Sequence, residues 1–186
     1  MKKVSGLIGF ALALMLSTYS NVTIAKEPKD YDSAYSKVTF TTDQYQGTRT
    51  YKSTAITLKN VKWNDPDFLM GQLSLTKSSK QELYCLLTLY HGENWSFFEK
   101  VFDSNQQELQ LVKGTNRVGS LGYSVNVTEQ GCIAMDRSYL EKAALEGLDM
   151  KLVGQNRNII IKVQPFFVKA FLDAVDYSER TRFASQ

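Results

Sequence analysis

Histidine is nearly absent from this chain. His91 is the single one in 186 residues, and the cysteines number two, Cys85 and Cys132. Zinc sites draw three or four ligands from Cys, His and carboxylates at close spacing, so a lone histidine and a distant cysteine pair leave no metal-binding pattern. Nucleophilic catalysis is equally short of parts. A Ser, Thr or Cys nucleophile needs a base beside it, and no G-x-S-x-G, H-E-x-x-H or phosphate-cradling glycine-rich loop occurs. No cofactor is implied. The remaining hydrolytic option is a carboxylate pair, and Glu93, Glu99 and Asp103 lie near enough in sequence to supply one. Glu99 and Asp103 are an even number of strand positions apart, which equally fits a solvated face.

A long apolar run is missing too. A membrane span needs about 20 predominantly apolar residues, and the run from Val4 to Leu16 is clearly shorter. With Lys2 and Lys3 ahead of it and Thr23, Ile24 and Ala25 closing the polar stretch behind, it has the three-part grammar of a secretory signal peptide cut after Ala25. No cysteine precedes Cys85, so no lipid-anchored cysteine is expected at the new N-terminus, and the mature chain has no transmembrane segment. Clustered charge is the third deficit. Lys2 and Lys3 leave with the signal peptide, so 20 Lys and Arg face 19 Asp and Glu, scattered singly among one another. Nucleic-acid binders cluster their cations to neutralise phosphates, and that class is set aside.

Export changes the meaning of the two cysteines. In an oxidising compartment, Cys85 and Cys132 have no third thiol to compete for them and are expected to form one disulfide. Cys85 lies in ELYCLLTLY, apolar on both parities and therefore read as a central strand covered on both sides, and Cys132 in GCIAMD.

Along the rest of the chain, residues 26–36 (KEPKDYDSAYS) have no period and are expected to form a loose arm. Short β-rich runs follow: KVTFTT, TRTYKSTAITLKNV, and FLMGQLSLT after the turn NDPD. The stretch His91, Gly92, Glu93, Asn94 separates ELYCLLTLY from WSFFEKVF and predicts a four-residue hairpin loop. On that reading His91 and Glu93 sit at its tip, and Trp95, Phe97 and Phe98 belong to the core or cover a face. DSNQQ and GTNR predict further turns of an antiparallel meander through ELQLV and GSLGYSVNV, where Leu121, Tyr123, Val125 and Val127 alternate with small or polar neighbours.

The last fifty residues change period. Ser138 with Glu141, or Asp136 one turn earlier, caps a helix whose Leu140, Ala143 and Ala144 share a face and which Gly147 stops. LDMKLV and NIIIKV flank the turn GQNR, and Pro165 opens a final helix with a stripe of Phe167, Val168, Phe171, Leu172 and Val175. Residues 178–186 are expected to fray.

The expected fold is therefore α+β: a predominantly antiparallel β-sheet, a meander, followed by helix, hairpin and helix, with the helices packed on one face of the sheet. It spans one domain, residues 37–177. The functional reading is an exported soluble protein of the bacterial envelope type, periplasmic or secreted, serving as a non-catalytic binding module for a protein, peptide or envelope component. Tyr90, His91 and Trp95 are its candidate contact residues. Tyr31, Tyr35, Tyr45 and Tyr51 add aromatics with polar tips, a type favoured at interfaces. A small-ligand carrier with a cavity between sheet and helices is the second reading, and a carboxylate-based hydrolase the third.

Overall fold

The computed structural model describes residues 27–59, 67–121 and 124–183. The expected signal peptide, most of the NDPD turn and Tyr123 lie outside the described residues. Among these residues ten strands form one antiparallel sheet: β1 (Thr39–Asp43), β2 (Thr48–Lys52), β3 (Ile56–Lys59), β4 (Phe68–Lys77), β5 (Glu82–Gly92), β6 (Phe98–Asp103), β7 (Glu108–Leu121), β8 (Ser124–Met135), β9 (Leu148–Gly154) and β10 (Asn158–Val163). The order across the sheet is β1-β2-β4-β5-β8-β7-β6-β9-β10, with β3 beside the N-terminal half of β4. At the far end β10 comes within 8 Å of β3, Cα to Cα, so the sheet curls as a half-barrel. Three helices accompany it: α1 (Tyr31–Tyr35), α2 (Arg137–Glu146) and α3 (Pro165–Phe183).

Alternation sorts the side chains. Leu73 and Leu75 of β4, Tyr84, Leu86 and Tyr90 of β5, Ile133 of β8, Met150 and Leu152 of β9 and Ile161 of β10 share one buried cluster. The opposite parity of β5 carries Cys85 and Leu87, which with Cys132 of β8 make a second, smaller cluster. β5 is thus buried on both faces. The sulfurs of Cys85 and Cys132 are at bonding distance, with Cα atoms 5.6 Å apart on neighbouring strands.

The meander is interrupted. No hairpin joins β5 to β6: β5 pairs with β8, and β6 lies on the far side between β7 and β9. The residues read as a loop, His91 and Gly92, are the last two of β5. Glycine there is required by contact, because a Cβ at Gly92 would collide with the Tyr90 hydroxyl and the Asp67 carboxylate. The predicted turn at GTNR is likewise a strand. β7 passes through it with a register shift between Lys113 and Asn116, a bulge in an unbroken ladder with β8.

The helices owe their ends to local chemistry. Asp136 caps α2 by accepting the N–H of Tyr139 at 2.9 Å. Gly147 ends it at φ +87°, where a Cβ would lie 2.7 Å from the Val163 carbonyl oxygen. α3 contributes Phe167, Val168, Phe171, Leu172 and Val175 to the main cluster.

Toward both ends the described residues are more ordered than their composition suggests, while residues 184–186 of the expected tail lie outside the described residues. Residues 31–35 of the expected loose arm form α1. Asp30 caps it, and the Tyr31 hydroxyl donates to Asp173 of α3 at 2.7 Å. The expected frayed tail is helical to Phe183, because Glu179 accepts from Arg49 at 2.8 Å and from the Tyr51 hydroxyl, and pairs with Lys77.

Candidate functional site: an aromatic corner

Five residues, Glu93 to Phe97, carry the chain from the end of β5 across to β6. A crossing of this kind leaves backbone groups without ladder partners, and three of them converge on one side chain. Glu129 of β8 stands opposite Tyr90 in the register and points the same way, into the core. Its carboxylate accepts the N–H groups of Ser96, of Phe97 at 3.1 Å and of Phe98 at 3.2 Å. Consecutive N–H groups turned toward one anion form a nest, and a nest needs a left-handed residue. Phe97 supplies it at φ +51°, a conformation that costs an L-residue about 1–2 kcal/mol.

The β9–β10 turn braces the corner from the other side. Asn156 donates its side-chain amide to the Trp95 carbonyl at 2.9 Å and its N–H to the Ser96 carbonyl at 3.2 Å, and the Gln155 N–H reaches the Phe97 carbonyl at 3.3 Å. Asp67 accepts the N–H of Glu93 at 3.2 Å and pairs with Arg157, whose guanidinium lies 5.7 Å above the Tyr90 ring. Burial pushes the Tyr90 phenol up. Asp67 adds to the rise while Ser96 and Arg157 oppose it. Tyr90 is thus a neutral wall residue, edge-on to Phe98 at 5.5 Å, with its hydroxyl donating to the Asn94 carbonyl at 3.3 Å.

The bracing presents two rings. Trp95, half-buried against the core, stacks on Phe97 at 5.9 Å, and Phe97 is 41% exposed. Behind them lies a cleft of about 50 Å³, with buried Leu69, Tyr90 and Phe98 on one side and exposed Phe97, Lys113 and Asn116 on the other.

Of the three contact residues expected from sequence, Trp95 is at this corner and Tyr90 is the wall beneath it. His91 points to the opposite face, half-buried. Its ring stacks on Phe68 at 5.0 Å, and Nδ1 shares a hydrogen bond with the Thr128 hydroxyl at 3.3 Å. Of the four tyrosines, Tyr45 is fully exposed at the β1–β2 turn, whereas Tyr31 and Tyr35 pack against the core and Tyr51 is buried.

The three carboxylates sit in separate settings. Glu93 is exposed at the corner, Glu99 accepts from Gln155 at 2.6 Å, and Asp103 accepts the N–H groups of Asn105 and Gln107, both at 2.9 Å, in the turn after β6. No group of metal-ligating side chains occurs among the described residues, and no helix among them is long and apolar enough to cross a membrane.

Phe97 as an exposed ring, Glu129 as its anchor and Asn156 as its brace were not foreseen. A signal for Glu129 existed, since it continues the parity of Val125 and Val127 and so puts a charge where the pattern demands an apolar residue. No family model, curated protein or solved structure matches this chain, so the corner stands on its own geometry.

Proposed function

We propose that the chain is an exported, non-catalytic binding module of the cell envelope, and that it engages a protein, peptide or envelope component through the Trp95–Phe97 corner. One observation carries the reading: Phe97 is exposed, left-handed and held on both sides, its N–H by Glu129 and its carbonyl by Gln155. A fold has no need to hold an exposed aromatic ring in an unfavourable backbone conformation, and such residues persist at contact sites whose geometry matters. Rigid exposed aromatics are also the commonest anchors of interfaces. The signal grammar of residues 1–25 and the paired cysteines support export.

The cleft beside the corner, at about 50 Å³, falls well short of the roughly 300 Å³ at which small-molecule sites begin, so it is read as a pocket for a single side chain. The test is capture from envelope extract with tagged mature protein and its Phe97→Ser variant, read by mass spectrometry. The expected result is one stoichiometric component retained by the parent and lost by a variant of equal melting temperature. Equal retention by both would overturn the corner, and a small molecule co-purifying with the parent would favour the carrier.

A further inference from the structure

The cleft exists because two neighbouring strands part company. β7 pairs with β8 from Gln110 to Leu121, but with β6 only at Glu108 and Leu109. Beyond Val101 toward its start, β6 is drawn off by the Glu129 nest and by β9, so the outer edge of β7 from Leu111 to Leu121 has no strand partner among the described residues. That is roughly 35 Å of strand presenting open backbone donors and acceptors. Natural sheets guard such edges with lysines and bulges, and Lys113 and the shift before Asn116 do this here. They discourage indiscriminate stacking without covering the edge.

The surroundings specify what the edge accepts. From Leu109 to Thr128 the sequence carries Lys113 and Arg117 and no acidic residue. Both cations are exposed and neither makes an ion pair among the described residues. Val118 and Val125, 64% and 60% exposed, lie on the core-facing side of this hairpin in line with buried Val127. Leu111, Lys113 and Asn116 line the cleft, with Phe97 across from them. A second copy of the chain docked edge to edge would bring cations toward cations, which disfavours self-pairing.

We propose that the free edge of β7 receives an extended, acidic strand of a partner protein. Its backbone continues the sheet beside Leu111–Leu121, a carboxylate on the cleft face meets Lys113 and another on the opposite face meets Arg117, because the shift before Asn116 puts the two cations on opposite faces, and one small apolar side chain enters the cleft beside Phe97. This is strand addition, in which main-chain hydrogen bonds supply affinity and alternate side chains supply selectivity. It rests on the binding-module reading above and names the class of partner.

The test uses the mature protein and synthetic peptides of about ten residues that carry glutamates on both faces around a central valine, together with a lysine counterpart and two versions N-methylated on opposite alternate residues. Binding is read by fluorescence anisotropy, and hydrogen exchange reports on β7. The expected outcome is glutamate peptide binding at least about tenfold tighter than the lysine peptide, with the preference reversed in a Lys113→Glu, Arg117→Glu variant. The β7 amides slow on binding, and N-methylation in one phase abolishes binding while the other phase leaves it intact. No saturable binding, equal affinity for both charges, or equal tolerance of both N-methylated forms overturns the proposal, the last by reducing the contact to charge alone. The same charge-reversed variant in the envelope capture separates the two readings. A partner lost on Phe97→Ser but retained on charge reversal leaves the corner standing and removes the strand. A partner retained by both variants removes the corner as well.

Discussion

Phe97 and Phe98 are adjacent in sequence and opposite in consequence. Phe98 is 8% exposed and belongs to the core, so Phe98→Ala should cost about 3–5 kcal/mol in urea unfolding. Phe97→Gly should leave stability within about 1 kcal/mol of the parent, because relief of the left-handed backbone offsets glycine's unfolded-state entropy and the lost stacking on Trp95. A drop of several kcal/mol for the glycine variant would make Phe97 a packing residue and take away its presented ring. Glu129→Gln should cost about 2–3 kcal/mol with an unchanged denaturant slope, since a neutral amide turns two hydrogens toward a nest of N–H donors and leaves at least one buried donor unpaired. Neither role was legible beforehand. The pair WSFF gives no sign of which ring faces water, because that depends on the backbone sign at Phe97, and the sign depends on an acceptor 32 positions away. His91 misled for a related reason. HGEN has turn composition, yet Gly92 is there to let Tyr90 and Asp67 approach rather than to turn the chain.

Among the elements, those specified by short-range chemistry were readable and those specified by pairing were not. The Gly147 stop and the apolar stripe of α3 are local and stand where the sequence implied, and of the two caps it offered, the helix uses Asp136 rather than the Ser138–Glu141 box. The supposed β5–β6 hairpin and the GTNR turn failed because turn composition does not reveal which strand will supply a partner. The two ends failed because tertiary contacts hold them. α3 is tethered along one side through Asp173 to Tyr31, Asp176 to Arg137 and Glu179 to Arg49, Tyr51 and Lys77. Burial alone would raise the Glu179 carboxyl, but Tyr51, Lys77 and Arg49 outweigh it and hold it below its ordinary 4.5. Asp173 is likewise held below 3.8 by Lys169 and Tyr31 against the opposing effect of burial. Carboxyls depressed in the folded state contribute stability that is fully present above their unfolded values and disappears as pH falls through the folded ones. Melting temperature should therefore be level above pH 4.5 and fall below it, with a shallower acid limb in Glu179→Ala. At the alkaline end the sign reverses. The Asp173 hydrogen bond, with burial, pushes the Tyr31 phenol up to about 12, so the stability it contributes persists below pH 10 and is lost as pH approaches 12. An acid limb identical in parent and Glu179→Ala would remove the Glu179 tether from this account.

For the whole molecule the decisive link is Cys85 to Cys132. Sequence reasoning paired the cysteines by elimination, while the neighbouring strands that allow the bond, β5 and β8, are set by the strand order. With 47 positions between them, the bridge should contribute about 4 kcal/mol through loop entropy. A Cys85→Ala, Cys132→Ala variant should fold with the same far-ultraviolet spectrum and melt earlier. Thiol titration of the denatured, unreduced parent should find none free, and two free thiols per chain would refute the link. The bridge also has a topological effect. It makes the interval from β5 to β8 a covalent ring, and that ring contains Trp95, Phe97, Glu129 and the free edge of β7. The exposed turn Ser104–Gln107 lies on the ring, so a protease that cut there would open the loop and release nothing. The severed chain would run as one piece until a reductant divided it, and Trp95 and Phe97 would stay tied to the body that positions them.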